Sequence, residues 1–581
     1  MERRVLIAVI LSFLVLYGYQ ALFVPSPTGQ RQVPPTASSP SSPNSTATPP
    51  AGVVQPAAQA MPTSPVPEAV ISEPAERLIV VETATVQAKF SNRGGRVVEW
   101  KLKQYRDNSN QLLDLVPSGV PVDQPRPFSL QVDDPQLTQR LNTSLYRVSG
   151  DSSGRVDATA GPATLVFEYQ DAAGLIVRKT FRFDPQTFVV TVSAAVSSSG
   201  RTLNPAIAWG PGLGDVVATS GGGGFFNRSY DQPAEAIYHL NGKAVRVAAT
   251  KIGEQPVFEG PFRFAGIDDH YFLAVLVNPG QARVRYATVS LPAPNSTQRQ
   301  LLAATYTFPQ APKDIRFFFG PKQFDLLRSV DSELVRAINF GMFAFLAVPL
   351  LSALKWIHGY VGNYGLSIIG LTILINLVIF PLRHKSVVSM RKMQLLQPQL
   401  KLIQDRYAGL KVTDPARQKM NTEIMNLYRE RGVNPASGCV PMLLTMPVLF
   451  AFYSLLSQAV ELRGADFGLW IHDLSFHDPL YITPVLMGAS MFWQQRITPS
   501  TADPAQQKVM MVMPLMFSFM FLWAPAGLVI YWFVSNLWAI GQQYFTNYWL
   551  GPAPLAGIKP SADRRLKSAG AGKSAGAEKG N

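Results

Sequence analysis

The residues with the clearest chemical potential are polar groups set inside apolar runs. Thr372 and Asn376 stand four apart in residues 359–382, a 24-residue window free of Asp, Glu, Lys and Arg, so they share one face of a helix. A polar pair at mid-run either hydrogen-bonds a neighbouring helix or looks into water, because lipid satisfies neither group. Spacing alone leaves both readings open. Arg383 follows Asn376 by seven residues, two turns and roughly 10 Å, on nearly the same face if Pro381 leaves the helix straight. It is either a charge at the mouth of a polar path or an ordinary flanking arginine. Further on, Tyr531, Ser535, Trp538 and Gln542 recur at i, i+4, i+7 and i+11, with Trp532 and Asn536 beside them. Groups of this kind do hydrogen-bonding chemistry, with a neighbouring helix or with water, because hydrocarbon offers them no partner.

Signals for an enzyme are weak. Asp268-Asp269-His270 could ligate a metal, but six scattered histidines and one cysteine favour a structural histidine, and neither a metal nor another cofactor is expected. Gly212-Leu213-Gly214 and Gly221–Gly224 lack the lysine and Ser/Thr ending of a phosphate loop and read as turns. Cys439 opens an apolar run with no histidine nearby in sequence, so a nucleophilic role is not expected, and as the single cysteine it excludes any intrachain disulfide.

The elements that must position these groups follow from charge and periodicity. The chain has 581 residues, of which 15% are charged and 47% hydrophobic, and residues 509–558 contain no Asp, Glu, Lys, Arg or His. That pattern argues against a plain cytosolic protein. The net charge of +14 comes without zinc spacing or an RNP-like aromatic motif, so a membrane surface explains it better than nucleic acid, and no sequence-specific nucleic-acid partner is expected. Met1-Glu2-Arg3-Arg4 precedes the 20-residue apolar run Val5–Val24, long enough at 1.5 Å per residue to span. No small-x-small cleavage pattern follows, so residues 1–24 are predicted to be an uncleaved anchor with a cytoplasmic N-terminus. Residues 25–76 are predicted to be a disordered tether, 25–74 alone holding 13 prolines.

From 77 to 320 the period becomes two. Val98, Trp100 and Leu102 alternate with Glu99, Lys101 and Lys103, and Leu165, Phe167 and Tyr169 with Val166, Glu168 and Gln170. Further strands are predicted at Leu175–Phe183, Phe188–Val196, Arg283–Val289 and Ile315–Phe319, with turns at Asn92-Arg93-Gly94-Gly95 and Ala172-Ala173-Gly174. This reads as an antiparallel β-sandwich outside the cytoplasm. After it, charge-free windows at 359–382, 432–460 and 479–495, and two within 509–550 separated by Ala524-Pro525-Ala526-Gly527, predict five spans. Ala337–Leu354 is a further 18-residue candidate. Were it to cross, 383–431 would lie outside with eleven basic residues against four acidic, contrary to the positive-inside rule, so region 321–358 is read as interfacial. The same rule places loop 496–508 and the basic tail, 551–581, in the cytoplasm.

Segment 383–431 is predicted to be a cytoplasmic helical hairpin. Met390, Met393, Leu396, Leu400, Ile403 and Tyr407 recur at helical spacing, Asp414-Pro415 supplies a cap, and Met420, Ile424 and Tyr428 repeat every four residues. The methionines Met390, Met393 and Met420 form either an adaptable contact surface for apolar segments or a ribosome, or simply the seam between the two helices. Window 479–495, about 25 Å as a helix, falls short of a ~30 Å hydrocarbon layer and could thin the bilayer locally.

Four strings carry a family likeness: Gly362-Asn363-Tyr364-Gly365, the run Gly432-Val433-Asn434-Pro435-Ala436-Ser437-Gly438-Cys439-Val440-Pro441, Leu469-Trp470-Ile471-His472-Asp473-Leu474, and Phe521-Leu522-Trp523-Ala524-Pro525-Ala526-Gly527-Leu528. With them the sequence resembles the YidC family of membrane protein insertases, motif by motif over about 320–550, and in layout with the Gram-negative members before that. The resemblance implies a multi-pass α-helical bacterial inner-membrane protein, an N-terminal anchor plus a five-span core, with both termini cytoplasmic and a periplasmic antiparallel β-sandwich domain. It implies insertion, folding and assembly of inner-membrane proteins without nucleotide hydrolysis, alone or beside the Sec translocon, through a hydrophilic groove open to cytoplasm and lipid. Implied partners are nascent membrane proteins, the translocon, the ribosome and membrane lipids. The residues expected to line that groove are Asn376 and Thr445, matched to family positions, and Thr372, Tyr531, Trp532 and Ser535, from their helical spacing, with Arg383 at the mouth. Two positions depart from the family pattern: an arginine is usual where Asn376 stands, and a glutamine where Thr445 stands. A transporter or channel is the alternative reading, opposed by the absence of acidic residues from the core windows and of any broken-helix repeat. An anchored lectin-like sandwich would leave the five later spans without a purpose.

Overall fold

A computed structural model describes residues 68–550 of the chain, apart from 108, 122–123, 215–233, 293–297, 408–414, 434–439 and 499–503. The predicted anchor, most of the tether, Gly221–Gly224, Asp414, Cys439 and the basic tail lie outside the described residues. Two compact units divide at Ala337.

The first unit is built of β-strands in two sheets, one of fourteen strands and one of five among the described residues. Alternation carries it. Strand Ala163–Asp171 buries Leu165, Phe167 and Tyr169 and leaves the residues between them half-buried, as the period of two requires. It pairs antiparallel with Leu175–Phe183, which pairs in turn with Val189–Ser198 across a second tight turn. The expected phase fails at one place. Along Arg96–Arg106 a bulge lets Lys89 face Glu99 but Phe90 face Val97, so Val98 is the extra residue and Val97, not Val98, enters the core ahead of Trp100 and Leu102. Two further corrections apply. Ala69–Ile71, assigned to the tether, forms an edge strand against Ala163–Asp171, and one pairing, Leu78–Thr83 with Arg155–Ala158, is parallel. Helices α1 (Pro135–Thr143) and α2 (Phe324–Val330) flank the sheets.

The sheets close on an aromatic core. Phe90 meets Phe181 edge-on at 5.0 Å, Phe128 meets Phe319 at 5.5 Å, and Trp209 stacks on Phe319 at 3.6 Å. Trp100 Nε1 donates to the Phe319 carbonyl at 3.1 Å, tying the two sheets. Within this apolar setting lies Lys179, wholly buried. Burial pushes its ammonium well below the usual lysine range and Arg96 adds repulsion. Yet its three donors reach the Gly94, Gly95 and Phe128 carbonyls at 2.7, 3.1 and 2.7 Å, fixing the predicted Asn92-Arg93-Gly94-Gly95 turn onto the core. Asp268 of the acidic motif is buried as well. Its carboxylate is held by Arg246 at 2.8 Å and Lys322 at 2.9 Å.

The second unit is helical. It contains α3 (Ala344–Val361), α4 (Tyr364–Leu395), α5 (Gln397–Arg406), α6 (Ala416–Glu430), α7 (Val440–Gln458), α8 (Ile482–Ile497), α9 (Pro504–Met520) and α10 (Ala526–Leu550). α3 buries Ala347, Leu351 and Leu354 at helical spacing and exposes Phe345, Trp356 and Tyr360. α4 runs unbroken through Pro381 to Leu395, so the first arm of the expected hairpin is the continuation of a long helix, followed by α5. In that hairpin Met393 and Leu396 are buried against Val433, with Tyr428 packed on them, and Tyr407 Oη donates to Glu423 at 2.8 Å. Met390 and Met420 are half-buried.

If the Lys179 ammonium clamps that turn, Lys179→Met leaves three buried carbonyls without a donor, each costing about 1–3 kcal/mol. Hydrogen exchange of the full chain then shows faster exchange in 92–97 and 175–183 than in other strands. Unchanged protection there means the clamp contributes nothing.

A polar cavity within the helical unit

One end of the helical unit is bolted together by residues from three of the four strings that carry the family likeness, those at 362–365, 469–474 and 521–528. Gly362, at φ +70°, ends α3 in the left-handed region, and Asn363 caps α4 by accepting from Leu366 N at 3.0 Å. The Asn363 amide donates onward to the carbonyls of Asp466 and Phe467. Gly365 is required by contact: a Cβ there would lie 2.0 Å from the Phe467 ring. In the same loop Asp478, fully buried, accepts from Trp470 Nε1, Leu480 N, Thr483 N and Thr483 Oγ1 at 2.7–2.9 Å and so caps α8. Burial opposes ionisation of Asp478, but these hydrogen bonds outweigh it and hold the carboxyl below its ordinary value. The turn before α10 docks on this loop, Ala526 N to the Phe476 carbonyl at 2.7 Å and Gly527 N to the Leu474 carbonyl at 3.0 Å.

Away from that end, α4, α7, α8, α9 and α10 surround a cavity of about 320 Å³. α4 contributes Asn376 and Arg383, α7 Thr445, and α10 Tyr531, Trp532, Ser535 and Asn536. Asn376 is fixed from both sides: its Nδ2 donates to the Thr372 carbonyl at 2.8 Å, and its Oδ1 accepts from Arg383 Nη1 at 3.3 Å. The two-turn spacing therefore brings Arg383 and Asn376 together despite Pro381. Arg383 is the cation in the lining, which contains no Asp or Glu among the described residues.

The expected groove residues thus converge, except one. Thr372 is fully buried, its hydroxyl donates back to the Ile368 carbonyl at 2.6 Å, and it does not line the cavity; it serves Asn376 through its backbone. The α10 stripe divides. Tyr531 and Ser535 face this cavity, Tyr531 stacking on Phe452 at 4.2 Å, whereas Trp538 and Gln542 line a different cleft. Sequence reasoning missed Gln494 and Gln495 on α8 and the methionine wall of Met491, Met510 and Met513. The signal was present in a glutamine pair just before Arg496 and in the Met510-Met511-Val512-Met513 run. Asn536, noted only as a neighbour of the stripe, joins α10 to α8 through Ser490 Oγ at 3.1 Å.

Fold and cavity together define a class: a β-rich domain followed by a helical unit of membrane-protein character, with a polar chamber walled by apolar helices. Comparison with known proteins narrows this. Residues 78–353 match the family described as YidC periplasmic domain, and residues 356–551 match the family described as 60Kd inner membrane protein. Membrane protein insertase YidC of Geobacter metallireducens is 36% identical over 94% of this chain and 98% of its own length. That of Geobacter sulfurreducens is 37% identical with the same coverage. A crystal structure of an active YidC insertase with its first transmembrane domain resolved aligns over 83% of this chain and 94% of its own, at 19% identity and TM-score 0.34. The chain belongs to the YidC family of membrane protein insertases.

The Asp478 cap makes a pH-dependent expectation. A carboxyl depressed in the fold contributes stability that is present above the unfolded value of about 3.9 and is lost as pH falls through the lower folded value. Asp478→Asn, which cannot accept at both oxygens, is expected to speed hydrogen exchange at 470–485 at neutral pH and to remove its steepening below about pH 4. Equal exchange in both proteins at every pH would show the cap to be dispensable.

Proposed function

We propose that this protein inserts, folds and helps assemble integral inner-membrane proteins by offering their polar segments the cavity between α4, α7, α8, α9 and α10. The carrying observation is the lining itself: hydroxyls, amides and one guanidinium are gathered inside a set of helices whose outer faces are apolar. Polar groups without partners are costly in hydrocarbon, so a chamber that hydrogen-bonds a passing segment lowers the barrier to its transfer. In this reading residues 1–24 anchor the chain, the β-domain is periplasmic, and five spans cross the membrane: the first part of α4, then α7, α8, α9 and α10. The basic 383–431 segment and both termini are cytoplasmic. Supporting this, α8 has 16 residues, about 24 Å as a helix and short for a ~30 Å hydrocarbon layer, which favours local thinning beside the cavity. The hairpin, whose α6 carries the exposed Met425, is the surface for an emerging chain or the ribosome, and the Sec translocon is the further partner.

The cation of the chamber is displaced in this member. Position 376, where the family resemblance leads one to expect arginine, is Asn376, and Arg383 reaches back to it from two turns away. Arg383 then attracts acidic groups of a substrate tail, and Asn376 holds the guanidinium toward the chamber. At 4 Å and an effective dielectric constant near 20, such a pair attracts by about 4 kcal/mol.

Two measurements test this reading. A photo-crosslinker at Asn376 or Trp532 is expected to capture a stalled nascent membrane protein, whereas one at Thr372, buried outside the lining, does not. Capture from none of the three removes the cavity from the insertion path. Second, Arg383→Ala is expected to slow insertion of a substrate with an acidic tail by about tenfold, a loss of ~1.4 kcal/mol, and to leave a neutral-tailed substrate unaffected. Adding Asn376→Arg to that variant should restore the acidic tail. Equal rates for all variants would show that charge on this face is irrelevant.

A further inference from the structure

The hydrogen-bonding capacity of the chamber is not spread evenly over its lining, and we infer that Gln494 and Gln495 make it selective for polypeptide in extended form, recognised through its backbone and not its charge. This rests on the reading of the chamber as the path of polar segments and names what that path prefers. Several polar side chains of the lining are already committed. Asn376 is held by the Thr372 carbonyl and by Arg383, Asn536 gives its amide nitrogen to Ser490, and the Ser535 hydroxyl is closed off. Gln494 and Gln495 differ. Both are half-buried and line the cavity, and neither carboxamide has a hydrogen-bond partner among the described residues. Their amide atoms are not shut away, so a visitor to the cavity can reach them.

The helix that carries the pair is firmly mounted. Asp478 caps α8 at its start, and Asn536 reaches Ser490 one turn before Gln494. At Gly488 the helix lies so close to α9 that a Cβ would come within 1.8 Å of Ser518 Oγ. The last turn of α8 therefore keeps its place on the chamber wall, which lowers the ordering cost of binding. A carboxamide is the side-chain counterpart of a peptide group, with N–H donors and a carbonyl acceptor. A helical segment uses its own peptide groups internally and gains little from such a partner. An extended segment leaves them free, and each is costly in hydrocarbon until it is paired. Beside the amides, Met491, Met510 and Met513 offer an unbranched, polarizable surface that tolerates varied side chains. Backbone pairing against an adaptable wall is indifferent to sequence, whereas Arg383, on α4, discriminates by charge.

The test uses the full-length protein in liposomes and a double variant, Gln494→Leu with Gln495→Leu, which removes both amides while keeping side-chain length and helix propensity. Two uncharged substrate tails of equal length are compared, a Gly/Ser tail that stays extended and an Ala-rich tail that forms a helix. The variant is expected to insert the Gly/Ser tail about tenfold more slowly than the wild type, the loss of roughly one or two hydrogen bonds, and to slow the Ala-rich tail by less than about twofold. Equal slowing of both tails, or of neither, overturns the backbone preference. Independently of that variant, a photo-crosslinker at Gln494 is expected to capture the Gly/Ser tail, whereas one at Trp493, exposed and outside the lining, does not. Capture from Asn376 but not from Gln494 overturns this inference and leaves the chamber in the insertion path. Capture from neither overturns both.

Discussion

Within hydrocarbon nothing replaces a lost hydrogen bond, and that constraint organises the helical unit. Helices satisfy their own backbones, so the variable left to the sequence is where side-chain polarity goes. Here it goes inward. Thr372 bonds its own helix, Asn376 is held between a backbone carbonyl and Arg383, and Asn536 ties α10 to α8. The same rule explains the closed end, where Asn363 and Asp478 absorb the free N–H groups at the starts of α4 and α8. A rigid cap at one end and a polar chamber beyond it are two results of one requirement.

The β-rich unit solves the opposite problem, building a large core with no disulfide. Aromatic side chains from both sheets supply apolar area, and the buried Lys179 organises backbone that would otherwise be unpaired. Buried and half-buried carboxylates in it find cations: Asp268 has two, and Arg77 bridges Glu73 and Asp151. Through that pairing Asp268 of the Asp268-Asp269-His270 motif takes part in an ion-pair network.

Much of this architecture was legible beforehand because it rests on periods and charge counts. Alternation located Ala163–Asp171 and Leu175–Phe183 to the residue or nearly so, and charge-free windows located α7, α8 and the break before α10. The misplacements have local causes. Val98 lost its place in the core to a bulge, which depends on the partner strand. Ala69–Ile71 was lost among prolines because an edge strand needs only one neighbour and little hydrophobicity. α4 overran its charge-free window because a helix does not stop where apolarity stops.

The sequence by itself determined that a β-rich region precedes a helical one, the charge-free windows and the polar residues within them, since length, period and charge are properties of the chain alone. Spacing on one helix put Arg383 on nearly the face of Asn376 two turns away, and the hydrogen bond between them came from the structure. Only the tertiary structure decided which groups share a cavity. Helical periodicity names a face but not what lies opposite it, so Tyr531 and Trp538, on one stripe, serve different cavities once α4 packs beside them. Thr372 left the lining for the same reason, and Gln494, Gln495 and the methionines joined it.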